Sequence, residues 1–90
     1  MLKIVLSNKF KKDLKLAQSR GCDLDLLEEI VNKLAAQETL APKYRDHALS
    51  GNYAGFRECH IKPDWLLIYR IHEGELLLFL VRVGSHADLF

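Results

Sequence analysis

The feature that most restricts the fold is a pair of neighbouring apolar segments separated by a short polar break. Between positions 65 and 72 the side chains alternate as they do in a strand, and positions 76–83 are apolar on both sides of the alternation. Glu73-Gly74 lies between them, and Gly74 can take the positive φ that a two-residue hairpin turn requires. A strand that is apolar on both faces usually lies inside a sheet. The sequence therefore predicts an antiparallel hairpin whose second strand is central.

Two amphipathic helices are predicted before this hairpin. Apolar residues recur on one helical face between positions 10 and 17 and again between 27 and 34. Short strands are predicted at 2–6 and 53–61, so the order of elements is β-α-α-β-β-β. The chain of 90 residues has the length of one domain, spanning 1–90. We therefore predict an α+β fold in which two N-terminal helices pack on an antiparallel sheet.

Composition argues against several classes of protein. The net charge is +1 and 49% of the residues are hydrophobic, which is typical of a folded domain rather than a disordered chain. The sequence contains no apolar run long enough to span a bilayer, and positions 1–6 are too short for the core of a signal peptide, so we expect no membrane partner. Cys22 and Cys59 are too far apart for a metal motif, which favours reduced thiols in a cytoplasmic protein.

Charge is unevenly distributed along the chain. Positions 1–21 contain six basic residues and a single acidic residue, Asp13. A basic helix is a candidate surface for contacts with phosphates. A solvated helix face explains the same pattern more simply. The candidate contact residues are Lys9, Lys11, Lys12 and Lys15.

Three of the four histidines lie in the segments that connect or end the predicted strands. His47 precedes the strand at 53–61, His60 lies near its end, and His86 follows the last strand. Asp64 begins the next strand across a tight turn. Adjacent ends of antiparallel strands lie side by side, so these residues can meet at one edge of the sheet. A metal site that includes Cys59 is not predicted, because Cys59 and His60 point to opposite faces of their strand.

Cleavage of RNA through its own 2′-OH requires groups of these kinds. A base must take the 2′-OH proton, an acid must protonate the leaving 5′-oxygen, and positive charge must stabilise the phosphorane. Histidine can fill each role near neutral pH, and a neighbouring aspartate can orient it or act as the base. Trp65 and Phe90 are candidates for stacking against a base. Arg57 and Arg82, on predicted strands, are candidates for contacting the scissile phosphate.

Three motifs together resemble a known family. They are Tyr-Arg-Asp-His-Ala-Leu-Ser-Gly from Tyr44, Phe-Arg-Glu-Cys-His-Ile-Lys-Pro-Asp-Trp-Leu-Leu-Ile-Tyr from Phe56, and Gly-Ser-His-Ala-Asp-Leu-Phe from Gly84. They resemble the YafQ-type toxins of the RelE/ParE superfamily, the toxic halves of bacterial toxin–antitoxin pairs. The first predicted helix, with Phe-Lys-Lys-Asp-Leu-Lys-Leu-Ala, fits as well, so the resemblance covers essentially the whole chain. Ala48, where proline is common, and Cys59, where alanine also occurs, are minor departures.

The resemblance implies a small fold like that of microbial ribonucleases and a ribosome-dependent mRNA endoribonuclease. Such toxins cut the codon in the ribosomal A site, use no metal or other cofactor, and stop translation. A cognate antitoxin neutralises them, and the complex binds its own promoter DNA through the antitoxin. The family positions that carry function are matched here by His47, His60, Asp64, Trp65, His86 and Phe90.

The resemblance also suggests how the roles divide. His86 is expected to be the general acid, and Asp64 is slightly favoured over His60 as the base, with His60 stabilising the phosphate. His47 would contribute charge or orientation, while Trp65 and Phe90 shape the nucleotide pocket. The products would carry a 2′,3′-cyclic phosphate and a 5′-hydroxyl.

Other functions remain open. A non-catalytic module that only pairs with an antitoxin and a ribonuclease that acts without ribosomes both fit the sequence. A gyrase poison of the same superfamily is disfavoured, because that class lacks the histidines.

Overall fold

The computed structural model describes residues 1–90 as five strands and three helices. The strands are β1 (Lys3–Leu6), β2 (His47–Ala48), β3 (Arg57–Lys62), β4 (Trp65–His72) and β5 (Leu77–Gly84), and the helices are α1 (Asn8–Ser19), α2 (Leu24–Ala35) and α3 (His86–Leu89). Single 3₁₀ turns lie at Pro42–Tyr44, Gly51–Tyr53 and Glu73–Glu75. The radius of gyration, 12.2 Å, is that of one domain of this length. No helix combines the length and apolarity needed to cross a membrane.

The strands form one sheet in the order β1-β5-β4-β3-β2. The pairs β2–β3, β3–β4 and β4–β5 are antiparallel, whereas β1 runs parallel to β5. The α+β class and the packing of two N-terminal helices on the sheet are confirmed, but the sheet is mixed rather than wholly antiparallel. Parallel neighbours need a long connection, and the helices and three strands between β1 and β5 provide one.

The main core lies between the sheet and the helices α1 and α2. Ser7 Oγ accepts a hydrogen bond from the N–H of Phe10 at 2.9 Å and so caps α1, while Asp23 caps α2 through the N–H of Leu26 at 3.0 Å. The helices bury the apolar faces that their periodicity predicted. The buried helical residues are Phe10, Ala17, Leu27, Ile30, Val31, Leu34 and Ala35.

The opposite face of the sheet has a smaller apolar cluster that is covered by the end of the chain. Leu66 and Ile68 of β4 are fully buried there, and Leu89 of α3 packs on them. Tyr53 and Phe56 border the cluster. Because both faces of β4 are covered, this strand is apolar on both sides, and α3 is held close to the sheet.

Two connections differ from their prediction. The β4–β5 connection is a 3₁₀ turn, Glu73–Glu75, followed by Leu76 with φ of 55°, rather than a two-residue turn. The side chain of His72 accepts the N–H of the last residue of that turn at 3.2 Å, which stabilises the longer connection. β3 begins at Arg57 rather than at Tyr53, because the preceding residues form a 3₁₀ turn.

Candidate active site

Three histidines meet on the sheet face that α3 covers. His47 comes from β2, His60 from β3, and His86 is the first residue of α3. The ring centroids of His47 and His60 are 6.2 Å apart, and those of His60 and His86 are 5.7 Å apart. The structure thus brings together three segments that the antiparallel topology predicted to be neighbours. We call these three residues, with Asp64 and Glu58, the histidine cluster.

Asp64 holds His86 by two hydrogen bonds. Its Oδ1 accepts the backbone N–H of His86 at 3.0 Å and lies 2.6 Å from Nδ1 of the same ring. The backbone hydrogen bond, followed by the ring hydrogen bond, lowers the pKa of Asp64 below its usual value. An ionised carboxylate only accepts, so Nδ1 is the donor and Nε2 of His86 remains available for proton transfer. Both side chains are exposed, at 56% and 69%, and are therefore open to a substrate.

Glu58 is a buried carboxylate between the other two imidazoles. Only 5% of the residue is exposed, and its Oε1 lies 3.2 Å from Nε2 of His60 and 3.8 Å from Nε2 of His47. His47 donates through Nδ1 to the carbonyl of Arg45 at 2.5 Å, which orients Nε2 towards Glu58. The sequence analysis missed Glu58. The signal was present, because Glu58 and His60 are two positions apart on one strand and so share a face.

The short helix α3 is fixed by its cap and by α1. Ser85 and Asp88 form a reciprocal capping box, and Nη1 of Arg20 lies 2.7 Å from Oδ2 of Asp88. The hydrogen bond from Arg20 is the main cause that lowers the pKa of Asp88 to about 2. Together with the burial of Leu89, these contacts set the position of His86.

Phe90 presents an exposed ring beside the cluster. It is 62% exposed and packs edge-on against Tyr53, with ring centroids 5.7 Å apart. Its N–H donates to the carbonyl of His86 at 2.9 Å, so the ring and the imidazole belong to one turn of chain. An exposed ring so placed can stack on a nucleobase.

Two residues expected to bind substrate lie elsewhere. Arg57 donates through Nε to the hydroxyl of Tyr69 at 3.3 Å and pairs with Asp46 at 3.4 Å, on the helix side of the sheet. Trp65 is 7% exposed in the helix-side core. The alternation of strand side chains turns both residues away from the face that carries His60, so the structure does not bring them into the histidine cluster.

Arg82 is paired with α1. Its Nε and Nη2 lie 2.7 and 3.0 Å from the carboxylate of Asp13, which also accepts the N–H of Val83 at 3.2 Å. In the sheet register Arg82 lies opposite Ile68, and Ile68 lies opposite Glu58, so about 10 Å separates Arg82 from Glu58. The candidate ribosome contacts on α1 are all exposed and none forms an ion pair within the chain: Lys9, Lys11, Lys12 and Lys15.

Cys59 takes no part in the histidine cluster. It is fully buried on the helix side, and this burial raises the pKa of its thiol to about 12. No group of three or more histidine, cysteine, aspartate or glutamate side chains is arranged to hold a metal ion.

Comparison with known proteins gives one consistent result. Residues 2–90 match the family described as bacterial toxin of type II toxin-antitoxin system, YafQ. The mRNA interferase toxin YafQ of Escherichia coli (strain K12) is 40% identical over 88 residues, which cover 97% of this chain and 94% of that protein. The crystal structure of a metal-bound toxin from Helicobacter pylori is 56% identical, with a TM-score of 0.95 and complete coverage of both chains. A chain of the Escherichia coli DinJ-YafQ toxin-antitoxin complex is 39% identical over 99% of this chain and 97% of that one, with a TM-score of 0.88.

Proposed function

The chain belongs to the YafQ family of bacterial type II toxins, and from this premise we propose that it is an mRNA endoribonuclease that cuts codons in the ribosomal A site. The observation that carries the proposal is the histidine cluster. It joins a carboxylate-oriented imidazole, His86, to a second imidazole, His60, whose ring centroid is 5.7 Å away. Two imidazoles at this spacing can contact one phosphate group and act on it as acid and base.

His86 is the general acid in this proposal. Because Nδ1 donates to Asp64, the imidazolium form of His86 carries its second proton on Nε2, and this proton passes to the leaving 5′-oxygen. Asp64 acts as a positioning residue rather than as the base, because its pKa is lowered and its Oδ1 already accepts two hydrogen bonds. The preference for Asp64 as the base that the sequence suggested is therefore replaced.

His60, supported by Glu58, is the proposed base. It takes the 2′-OH proton while the 2′-oxygen attacks phosphorus, the P–O5′ bond breaks and His86 protonates the departing oxygen. The buried carboxylate of Glu58, 3.2 Å from Nε2 of His60, stabilises the imidazolium that forms. The products are a 2′,3′-cyclic phosphate and a 5′-hydroxyl. His47, on the other side of Glu58, adds a second imidazole whose positive form would favour the dianionic phosphorane.

The remaining contacts concern binding. Phe90, supported edge-on by Tyr53, is proposed to stack on a nucleobase next to the scissile bond. The exposed lysines of α1 are proposed to contact ribosomal RNA, which locates the protein in the cytoplasm with the ribosomes. The complex formed by DinJ and YafQ supports a cognate antitoxin as the second partner. Through that antitoxin the pair is proposed to bind its own promoter DNA.

Primer extension on an mRNA, with and without translating ribosomes, tests the proposed activity. The comparison includes His86→Ala and, as a matched control, His72→Ala at the last residue of β4, the end of that strand away from the histidine cluster. Cuts that need ribosomes, persist in the control and vanish in His86→Ala are expected. Cuts on naked RNA at the same enzyme concentration would support the ribosome-independent ribonuclease instead. No cuts under either condition would favour the non-catalytic module.

A chelation experiment tests the proposal that proton transfer needs no metal. The protein is treated with EDTA and freed of the chelator before ribosomes are added, because ribosomes themselves need Mg²⁺. Retained cleavage is the expected result. Loss of cleavage that a trace of one transition metal restores would contradict a metal-free mechanism.

A further inference from the structure

A cleft of about 480 Å³ opens beside the histidine cluster, on the helix side of the β3–β4 turn. Lys43, Arg45 and Lys62 line it, His60 forms part of its wall, and no acidic residue contributes to its lining. We call this the basic cleft. Its three cations belong to none of the functional groups identified so far.

The charges of the basic cleft are not neutralised within the chain. The ion pairs of arginine and lysine involve Arg20, Lys33, Arg57 and Arg82, and none involves the three cations of the cleft. Lys43 lies 5.1 Å from the centroid of the Tyr44 ring, an attraction that leaves its charge free to meet an anion. Three unpaired cations around one concavity create a positive potential that attracts negatively charged ligands.

One wall of the basic cleft is rigid and connected to the histidine cluster. The N–H of Arg45 donates to the carbonyl of Pro42 at 3.1 Å, and Arg45 itself has the left-handed φ of 48°. Such a conformation is strained for a non-glycine residue, so surrounding contacts must hold it. One of them is the hydrogen bond from His47 to the carbonyl of Arg45, at 2.5 Å. The backbone of Arg45 is thus held against His47.

We propose that the basic cleft binds a nucleotide of the RNA strand next to the scissile phosphate, an inference that rests on the proposed nuclease function. Its volume lies in the range of small-molecule sites. The cations suit phosphate oxygens, while Leu26, Ile61 and Pro63 provide apolar surface for a sugar or base. Because His60 belongs to both the cleft and the cluster, an RNA chain lying in the cleft can reach the reacting phosphate at His60. That continuity favours RNA over an acidic protein segment.

Binding of a 12-nucleotide single-stranded RNA by the His86→Gln protein, which does not cleave in the proposed mechanism, tests the cleft. Its dissociation constant is compared for Lys43→Gln/Lys62→Gln and for Lys3→Gln, an exposed lysine on β1 at the far edge of the sheet. Each phosphate contact to a single strand contributes about 0.7 to the slope of the logarithm of the association constant against the logarithm of the salt concentration. At about 0.1 M salt, one decade below 1 M, each contact therefore contributes about fivefold in affinity. The double variant should bind about 25-fold more weakly and lose about 1.4 from the slope, whereas the control should match its parent.

The outcomes separate this proposal from the nuclease itself. Unchanged RNA binding in the double variant, or no binding by the parent, overturns the cleft assignment whatever the cleavage assays show. A decaglutamate peptide is measured in parallel. Equal losses for peptide and RNA would mean unselective attraction of anions, and a loss for the peptide alone would assign the cleft to an acidic protein segment. A selective loss for RNA, even if no cleavage is ever detected, supports the nucleotide site on its own.

Discussion

Replacing Glu58 by glutamine tests the internal chemistry of the histidine cluster most directly. Glutamine keeps the shape of the side chain and removes only its charge. In the proposed mechanism Glu58 stabilises the imidazolium that appears when His60 takes the 2′-OH proton. The substitution should therefore slow the chemical step, with little effect on the fold.

The structure sets the size of the effect. Unit charges 3.2 Å apart, the distance between Oε1 of Glu58 and Nε2 of His60, interact by about 5 kcal/mol at an effective dielectric constant of 20. About half of the proton charge has moved in the transition state of a general-base reaction, so about 2–3 kcal/mol of stabilisation is lost. At 1.36 kcal/mol per factor of ten, the rate should fall roughly 100-fold. This lies at the low end of what a positioned base contributes.

Single-turnover cleavage of ribosome-bound mRNA at saturating toxin measures this rate. Glu75→Gln, an exposed glutamate in the β4–β5 connection, is the matched control and should cleave at the wild-type rate. Circular dichroism and a urea denaturation curve establish that Glu58→Gln is folded. A folded Glu58→Gln protein that cleaves within threefold of wild type would refute the role of Glu58.

Three further predictions concern stability and reactivity. Tyr69→Phe keeps the ring but removes the hydroxyl that donates to Asp46, so urea denaturation should show a free energy of unfolding lower by about 1–2 kcal/mol. Burial raises the pKa of Tyr69 above its usual value of 10, so above pH 10 the unfolded chain loses this proton before the folded protein does. The stability that the hydroxyl contributes should therefore decrease as pH rises beyond 10 in wild type but not in Tyr69→Phe. The pKa of Asp88 is held at about 2 by Arg20, so stability should fall as pH drops from 4 towards 2, and Asp88→Asn should flatten that limb of an acid denaturation profile. Cys59, with a thiol pKa of about 12, should resist iodoacetamide until the protein is unfolded, as mass spectrometry would show.

The periodicity of apolar residues predicted which faces of the helices and strands are buried, but it did not predict which strands pair with each other. The helical faces and the hairpin strands were predicted correctly because burial imposes a period of 3.6 or 2 on the residues themselves. The parallel pairing of β1 with β5 leaves no such trace, since Ile4 and Leu6 would alternate in the same way beside any partner. The predicted length of the β4–β5 connection was wrong because the side chain of His72 caps the turn. The position of Gly74 alone does not reveal such a cap.

The histidine cluster was predictable to the extent that it follows from the antiparallel sheet. Ends of neighbouring strands must meet, so His60, Asp64 and His86 were expected together before any coordinates were known. The same alternation that separates Cys59 from His60 also places Arg57 on the opposite face of β3, and this separation was predictable from the sequence. Glu58 could have been predicted in the same way, because it is two positions from His60 and therefore lies on the same face of β3.

The sequence predicted that His86 lies at this edge of the sheet but not how it is held there, because residues remote in sequence fix the position of α3. α3 is a single turn of helix, too short to be stable by itself. Arg20 binds its capping residue Asp88 across 68 positions, and Asp13, one heptad earlier on α1, binds Arg82 of β5 across 69. Residues seven apart lie on one helical face, so Asp13 of α1 and Arg20, the residue that caps its C-terminus, together hold the strand and helix that present His86. The basic helix thus has two sides with different tasks: an exposed side of lysines, and an inward side whose two ion pairs fix the geometry of the proposed acid.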